Sequence, residues 1–133
     1  MNVKTASVLI GAAFIVVGIL GFFSNPIVGE NPDAIFHTDT LHNIVHLVSG
    51  GLFILFPLAK TGVTSSFMKL FGLVYLALGL LGMFKIGMSD DGKLLGFLHV
   101  NEADNYLHIG LGVLIFLASF LRPDVRVHSS GDN

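Results

Sequence analysis

The sequence predicts an all-α integral membrane protein: a four-helix bundle of two repeated helical hairpins, related by a pseudo-twofold axis along the membrane normal. Three observations carry that prediction: an apolar composition, four apolar stretches near spanning length, and an internal repeat. Of the 133 residues, 53% are apolar and only 12% charged, with 16 Gly, the profile of a chain embedded in a bilayer rather than of a soluble core. Four spans of about 20 residues would use most of such a chain and leave little for a separate catalytic domain. There is no Cys, which excludes disulfides, thiolate metal ligands and Cys nucleophiles.

The elements follow in order. Residues 5–23 are the first apolar stretch. Lys4 before them raises the alternative of a signal peptide, but Gly21-Phe22-Phe23-Ser24-Asn25-Pro26 lacks a small-x-small cleavage site. The long connection at 24–40 carries Pro26 and Pro32, turn chemistry that predicts a folded cap. Residues 41–59 are the second stretch, 60–66 a short connection and 67–83 the third stretch. Another long connection, 87–103, contains Asp90-Asp91-Gly92, and 107–121 is the fourth stretch. The last two span only when extended by their mildly polar flanks. A helix is the form that bonds every backbone group within its own segment, and none of the stretches alternates like a barrel strand. The chain therefore reads as one transmembrane domain, 1–122, with repeat halves about 1–60 and 61–122. A polar tail, 123–133, follows, in which His128 reads as a surface residue.

Basic residues set the orientation. Lys4, Lys60, Lys69, Arg122 and Arg126 share one side, against Lys85 and Lys93 opposite, so both termini are expected in the cytoplasm and the location is the plasma membrane. The outer side then holds Glu30, Asp33, Asp39, Asp90, Asp91, Glu102 and Asp104 with His37, His42, His46, His99 and His108. An acidic, His-bearing surface excludes nucleic acid and anionic headgroups as partners and suits a cation. The expected partners are the lipid bilayer and either a second copy of the chain or a subunit of a membrane complex.

The repeat is the strongest signal. A shift of 62 lays His37 on His99, Asp39 on Asn101, His42 on Asp104, Asn43 on Asn105, His46 on His108 and Gly50 on Gly112. A shift of 61 lays Gly11 on Gly72, Phe14 on Tyr75, Gly18 on Gly79 and Gly21 on Gly82. The repeated unit is helix, long loop, helix, so the halves share one orientation, as in parallel transporter repeats.

The glycine-rich first span, Leu41-His42-Asn43-Ile44-Val45-His46-Leu47 and Asn101-Glu102-Ala103-Asp104-Asn105-Tyr106-Leu107-His108 resemble the bacterial four-helix membrane family catalogued as domain of unknown function 4383. The likeness covers nearly the whole chain. It implies the four-helix fold and the importance of these segments, and no activity.

Asp39 and Asn101 read as N-caps of the second and fourth helices. His46 and His108 then lie about 10 Å inside, at 1.5 Å per residue. Residues three and four apart share a helix face, so His42, Asn43 and His46 form one polar patch, and Asp104, Asn105 and His108 its counterpart. Three readings of these patches stay open. In the first, His42, His46, Asp104 and His108 hold Zn, Cu or Fe, with Asn43 and Asn105 fixing the imidazoles and His37 and His99 as accessory groups. In the second, His46 and His108 are the axial ligands of haem b, and Gly11, Gly18, Gly72 and Gly79 leave room for the macrocycle. In the third, Asn and His lock the helices by hydrogen bonds, while the glycines, including Gly21 and Gly82, allow close packing. The aromatics read as packing or lipid-facing residues. No hydrolase, phosphate-loop, dinucleotide or His-Glu-x-x-His pattern is present, and no catalytic residue is assigned.

Overall fold

The computed structural model describes residues 1–60 and 62–123. The expected tail beyond Pro123, with Arg126 and His128, lies outside the described residues, as does Thr61 in the short connection. The chain is all-α in its main elements: α1 is Val3–Leu20, α2 Thr40–Ala59, α3 Thr64–Met83 and α4 Glu102–Ala118. Two short strand pairs lie in the long connections. β1 (Val28–Gly29) pairs in parallel with β2 (Phe36–His37), and β3 (Lys93–Leu94) pairs antiparallel with β4 (Leu98–His99).

Helix ends follow from their caps. Asn2 starts α1 two residues before the apolar run, its side chain accepting from the Thr5 backbone N–H at 2.9 Å. Asp39 caps α2 through the His42 N–H at 2.8 Å. Asn101 caps α4 through the Asp104 N–H at 2.9 Å, and Asp104 returns the bond by accepting from the Asn101 N–H at 2.8 Å, a complete capping box. α4 thus begins five residues before its apolar run, because the polar first turn is what the cap stabilises.

α1 lies along α2 and α3 along α4. Small residues set the approach: a Cβ on Gly11 would stand 2.7 Å from the Gly50 carbonyl oxygen, and one on Gly72 2.9 Å from that of Gly112. Between the two pairs aromatic rings meet, and the Val3 N–H donates to the Arg122 carbonyl at 3.0 Å. Phe14 meets Tyr75 with ring centroids 5.1 Å apart, and Phe53 meets Phe67 and Phe71 at 5.1 and 5.2 Å. Pro57 inside α2 has no N–H to give the Phe53 carbonyl, and the Ser7 hydroxyl of α1 donates to that oxygen at 2.6 Å instead.

The burial is inside out. Ser7, Ser49, Asn43, Asn105 and the histidines of α2 and α4 are buried, while Leu9, Val16, Leu55, Leu70, Leu114 and Leu117 face outward. Among the described residues three helices, α1, α2 and α3, are long and apolar enough to cross a membrane. α4 has 17 residues and carries Glu102 and Asp104 in its first turn.

The long connections are folded caps that cross over. Asn25 organises the first: its amide donates to the carbonyls of Leu20, Phe23 and Val28, and its oxygen accepts from the N–H groups of Ile27 and Val28. β2 then leans on the start of α4, with the His37 N–H donating to Asp104 Oδ2 at 3.1 Å and Asn101 Nδ2 donating to the Ile35 carbonyl at 2.9 Å. β4 leans on the start of α2, where the His99 carbonyl accepts from the ring of His42 at 2.7 Å. Leu95 and Gly96, at φ 54° and 82°, make the turn between β3 and β4.

Candidate metal centre

His42 and His46, one helical turn apart on α2, face His108 of α4. Each offers one ring nitrogen, and the three nitrogens lie within 4.8 Å of one another. All three side chains are buried, at 2%, 6% and 4% exposure. The ring centroids are 4.5 Å apart for His42 and His46 and 5.7 Å for His42 and His108.

The hydrogen bonds separate the three rings chemically. A carbonyl can only accept, so His42 donates Nδ1–H to His99 and keeps its lone pair on Nε2. Fixing one ring nitrogen on a backbone carbonyl is how metal-binding imidazoles are oriented. His46 Nδ1 and His108 Nδ1 are buried and have no hydrogen-bond partner. Two orphaned nitrogens in one enclosed cluster are costly unless something else bonds to them. A borderline first-row cation fits this donor set of three imidazoles and no thiolate.

Asp104 does not join the three histidines, contrary to its expected place as a fourth ligand. Its Oδ2 accepts from the backbone N–H groups of Asn101 and His37. The pattern Asn-x-x-Asp is itself a capping-box signature and could have identified this use. The asparagines also differ from expectation. Asn43 Oδ1 accepts from the Thr38 hydroxyl at 2.6 Å rather than from an imidazole, and Asn105 Oδ1 has no partner. Each amide sits on a glycine of the neighbouring helix, where a Cβ on Gly21 or Gly82 would overlap it. Clefts of about 460 and 480 Å³ open beside these two seats, and none of the three histidines lines either.

His37 and His99 come together above the cluster, ring centroids 6.0 Å apart and planes at 25°. Two core aromatics, whose place beside the histidines has no sequence signal, wall the site from within. Phe14 lies 5.7 Å from the ring of His46, and Tyr75 lies 5.7 Å from that of His108, with its hydroxyl donating to Ser49 at 3.2 Å. Both are packing residues of the buried core, as expected, and a shift of 61 lays one on the other.

Haem does not fit. The glycines assigned to clear a slot for the macrocycle are already covered by neighbouring helices. A Cβ on Gly18 would lie 2.9 Å from the Leu47 side chain, and one on Gly79 2.8 Å from the Asn105 carbonyl. Gly11 and Gly72 are closed by Gly50 and Gly112 as described above.

Residues 4–121 match the family described as Domain of unknown function (DUF4383), and the chain belongs to that family. No curated protein and no solved structure matches it.

Proposed function

We propose that this member of the family is a four-span protein of the plasma membrane that binds a divalent transition-metal cation, Zn or Cu before Fe, at His42, His46 and His108. The observation that carries the reading is the pair of buried, unpartnered Nδ1 atoms of His46 and His108 beside a His42 ring already fixed by a carbonyl. A purely structural clamp would spend those nitrogens on cross-helix bonds. The polar bonds of Thr38, Asn43, Asn101 and Asp104 tie the loops to the helix starts and leave those two nitrogens unused.

The membrane arrangement rests on the outward apolar faces of all four helices, α4 included, and on the basic residues. α4 reaches spanning length when residues 119–121 are added to it. In this reading the domain is 1–122, a bundle whose halves, about 1–60 and 61–122, are related by a pseudo-twofold along the membrane normal. The twin Gly seats of Asn43 and Asn105 support the repeat, as does the mutual crossing of β2 to α4 and β4 to α2. Both termini face the cytoplasm, and the metal site opens outward. A reporter after Asn133 is then cytoplasmic and one near Asp91 external; the reverse labelling inverts the map.

Purification from native-like membranes, with metal content and visible spectrum recorded together, tests the function. Stoichiometric Zn or Cu without a Soret band is the expected result. A Soret band would restore haem, and neither signal would leave a structural polar cluster.

A further inference from the structure

The buried cluster is closed from both clefts and lies beneath the two crossing loops, so a cation must pass those loops to reach it. At that place the structure sets a second pair of imidazoles. We infer that His37 and His99 form an outer docking site that captures a divalent first-row cation and passes it to His42, His46 and His108. The inference rests on the reading of that buried cluster as a metal site.

Geometry supports shared ligation. With metal–nitrogen bonds of about 2.0–2.1 Å and a ring centre about 1.2 Å further on, two imidazoles on one ion place their centroids about 5 Å apart at a tetrahedral angle and about 6.4 Å apart when opposed. The His37 and His99 centroids are 6.0 Å apart, between these limits, and both side chains are half-buried and open to solvent on one side. The ring of His37 donates Nε2–H to the Pro32 carbonyl at 3.3 Å, which leaves its lone pair on Nδ1. His99 is the physical link to the inner site, since its own carbonyl holds the His42 ring. The charges here are mixed, since Lys93 stands opposite His99 in the strand pair and lies 3.9 Å from Asp91. Asp91 is within electrostatic reach of His99, and a hydrogen bond from the Ser89 hydroxyl holds its carboxyl below the usual carboxylate range, so it is ionised at neutral pH.

The pair can be removed while its ties to the helices stay, because those use the backbone, the His37 N–H to Asp104 and the His99 carbonyl to His42; the ring bond from His37 to the Pro32 carbonyl is the one lost. The test uses the full chain in detergent, stripped of metal with a chelator and reloaded with Zn²⁺, reading zinc per chain and the rate of loading. Wild type is expected to take two ions, one tight and one weak. His37→Ala/His99→Ala should keep the tight ion, lose the weak one and load roughly tenfold more slowly, because local capture raises the on-rate. His46→Ala/His108→Ala should lose the tight ion and keep the weak one. If His37→Ala/His99→Ala binds as much zinc as wild type and loads as fast, the docking site is overturned while the inner site stands. Loss of both ions from that variant overturns it as well, since the two sites would then not be separable. No zinc on wild type overturns the inner site and the docking site together.

Discussion

The two helix pairs make matching glycine contacts, but they differ in their loops, where β1 and β2 pair in parallel and β3 and β4 antiparallel, and in the residues they turn toward each other. Gly21 seats Asn43 as Gly82 seats Asn105, and Gly11 meets Gly50 as Gly72 meets Gly112. Against that shared frame, α2 brings His42 and His46 to the cluster, whereas α4 brings only His108 and has Asp104 where α2 has His42. The first half walls the site with Phe14 and the second with Tyr75. Thr38 bonds Asn43 in the first half, and Val100 stands at the matching place in the second. Shared positions are those a close helix pair requires of any sequence, and the unshared ones decide what the space between the pairs can hold.

The largest expected effect breaks the comparison at the ligands. His46→Ala and His108→Ala should each remove most bound metal, a loss beyond the 10–100-fold typical of groups that only orient a ligand. In the double variant little further loss should follow, because ligands of one ion act as a unit. Acidification should release the metal in wild type, since protons and the cation compete for the same imidazole nitrogens. Retention of full metal content by the double variant would end the assignment and leave only the fold.

Next in size are the shared positions. Gly21→Ala and Gly82→Ala each force a methyl group into an asparagine side chain and should cost about 1–3 kcal/mol, the usual range for overpacking. Equal losses, read from thermal unfolding in detergent, would support the repeat. A large loss at one site and none at the other would argue that the halves only look alike.

Asp104→Asn probes the position where the halves diverge. It weakens the capping box and the tie to His37 and should lower stability by about 1 kcal/mol while leaving metal content unchanged. Metal loss at constant stability would return Asp104 to the ligand set.

Much of the fold was legible because membranes and caps impose simple rules. Apolar length gave the helices, and Asp39 and Asn101 gave the starts of α2 and α4. His42, His46 and His108 were legible from helical spacing and from the match of the chain with itself at a shift of 62. What could not be read was which polar group spends itself on the backbone. Asp104 carries a local mark of its use in the Asn-x-x-Asp capping box, and Thr38 lies only five residues from Asn43, but the bonds from His37 to Asp104 and from His42 to His99 depend on β2 and β4 crossing onto the opposite helices. Those crossings join residues far apart along the chain, so no local pattern records them. Tyr75 and Phe14 are core packing residues as expected, but an aromatic ring at helical spacing carries no mark of whether a histidine lies beside it.

The smallest effect offers the sharpest comparison. Thr38 and Val100 are both buried, at 0% and 5% exposure, and differ chiefly by a hydroxyl in place of a methyl group. In the first half that hydroxyl satisfies Asn43 Oδ1 at 2.6 Å, and in the second Asn105 Oδ1 has no partner. Thr38→Val should therefore cost about 1–3 kcal/mol, because it strands a buried acceptor. Val100→Thr should run the other way. It supplies the missing donor, worth about 0.5–1.5 kcal/mol, but places a hydroxyl among Leu94 and Leu98, so the net gain is at the low end of that range. A rise in melting temperature for Val100→Thr beside a fall for Thr38→Val would establish that the two asparagines occupy equivalent seats. If Val100→Thr instead destabilises as much as Thr38→Val, the Asn105 oxygen is out of reach of position 100, and the likeness of the halves ends at the glycines.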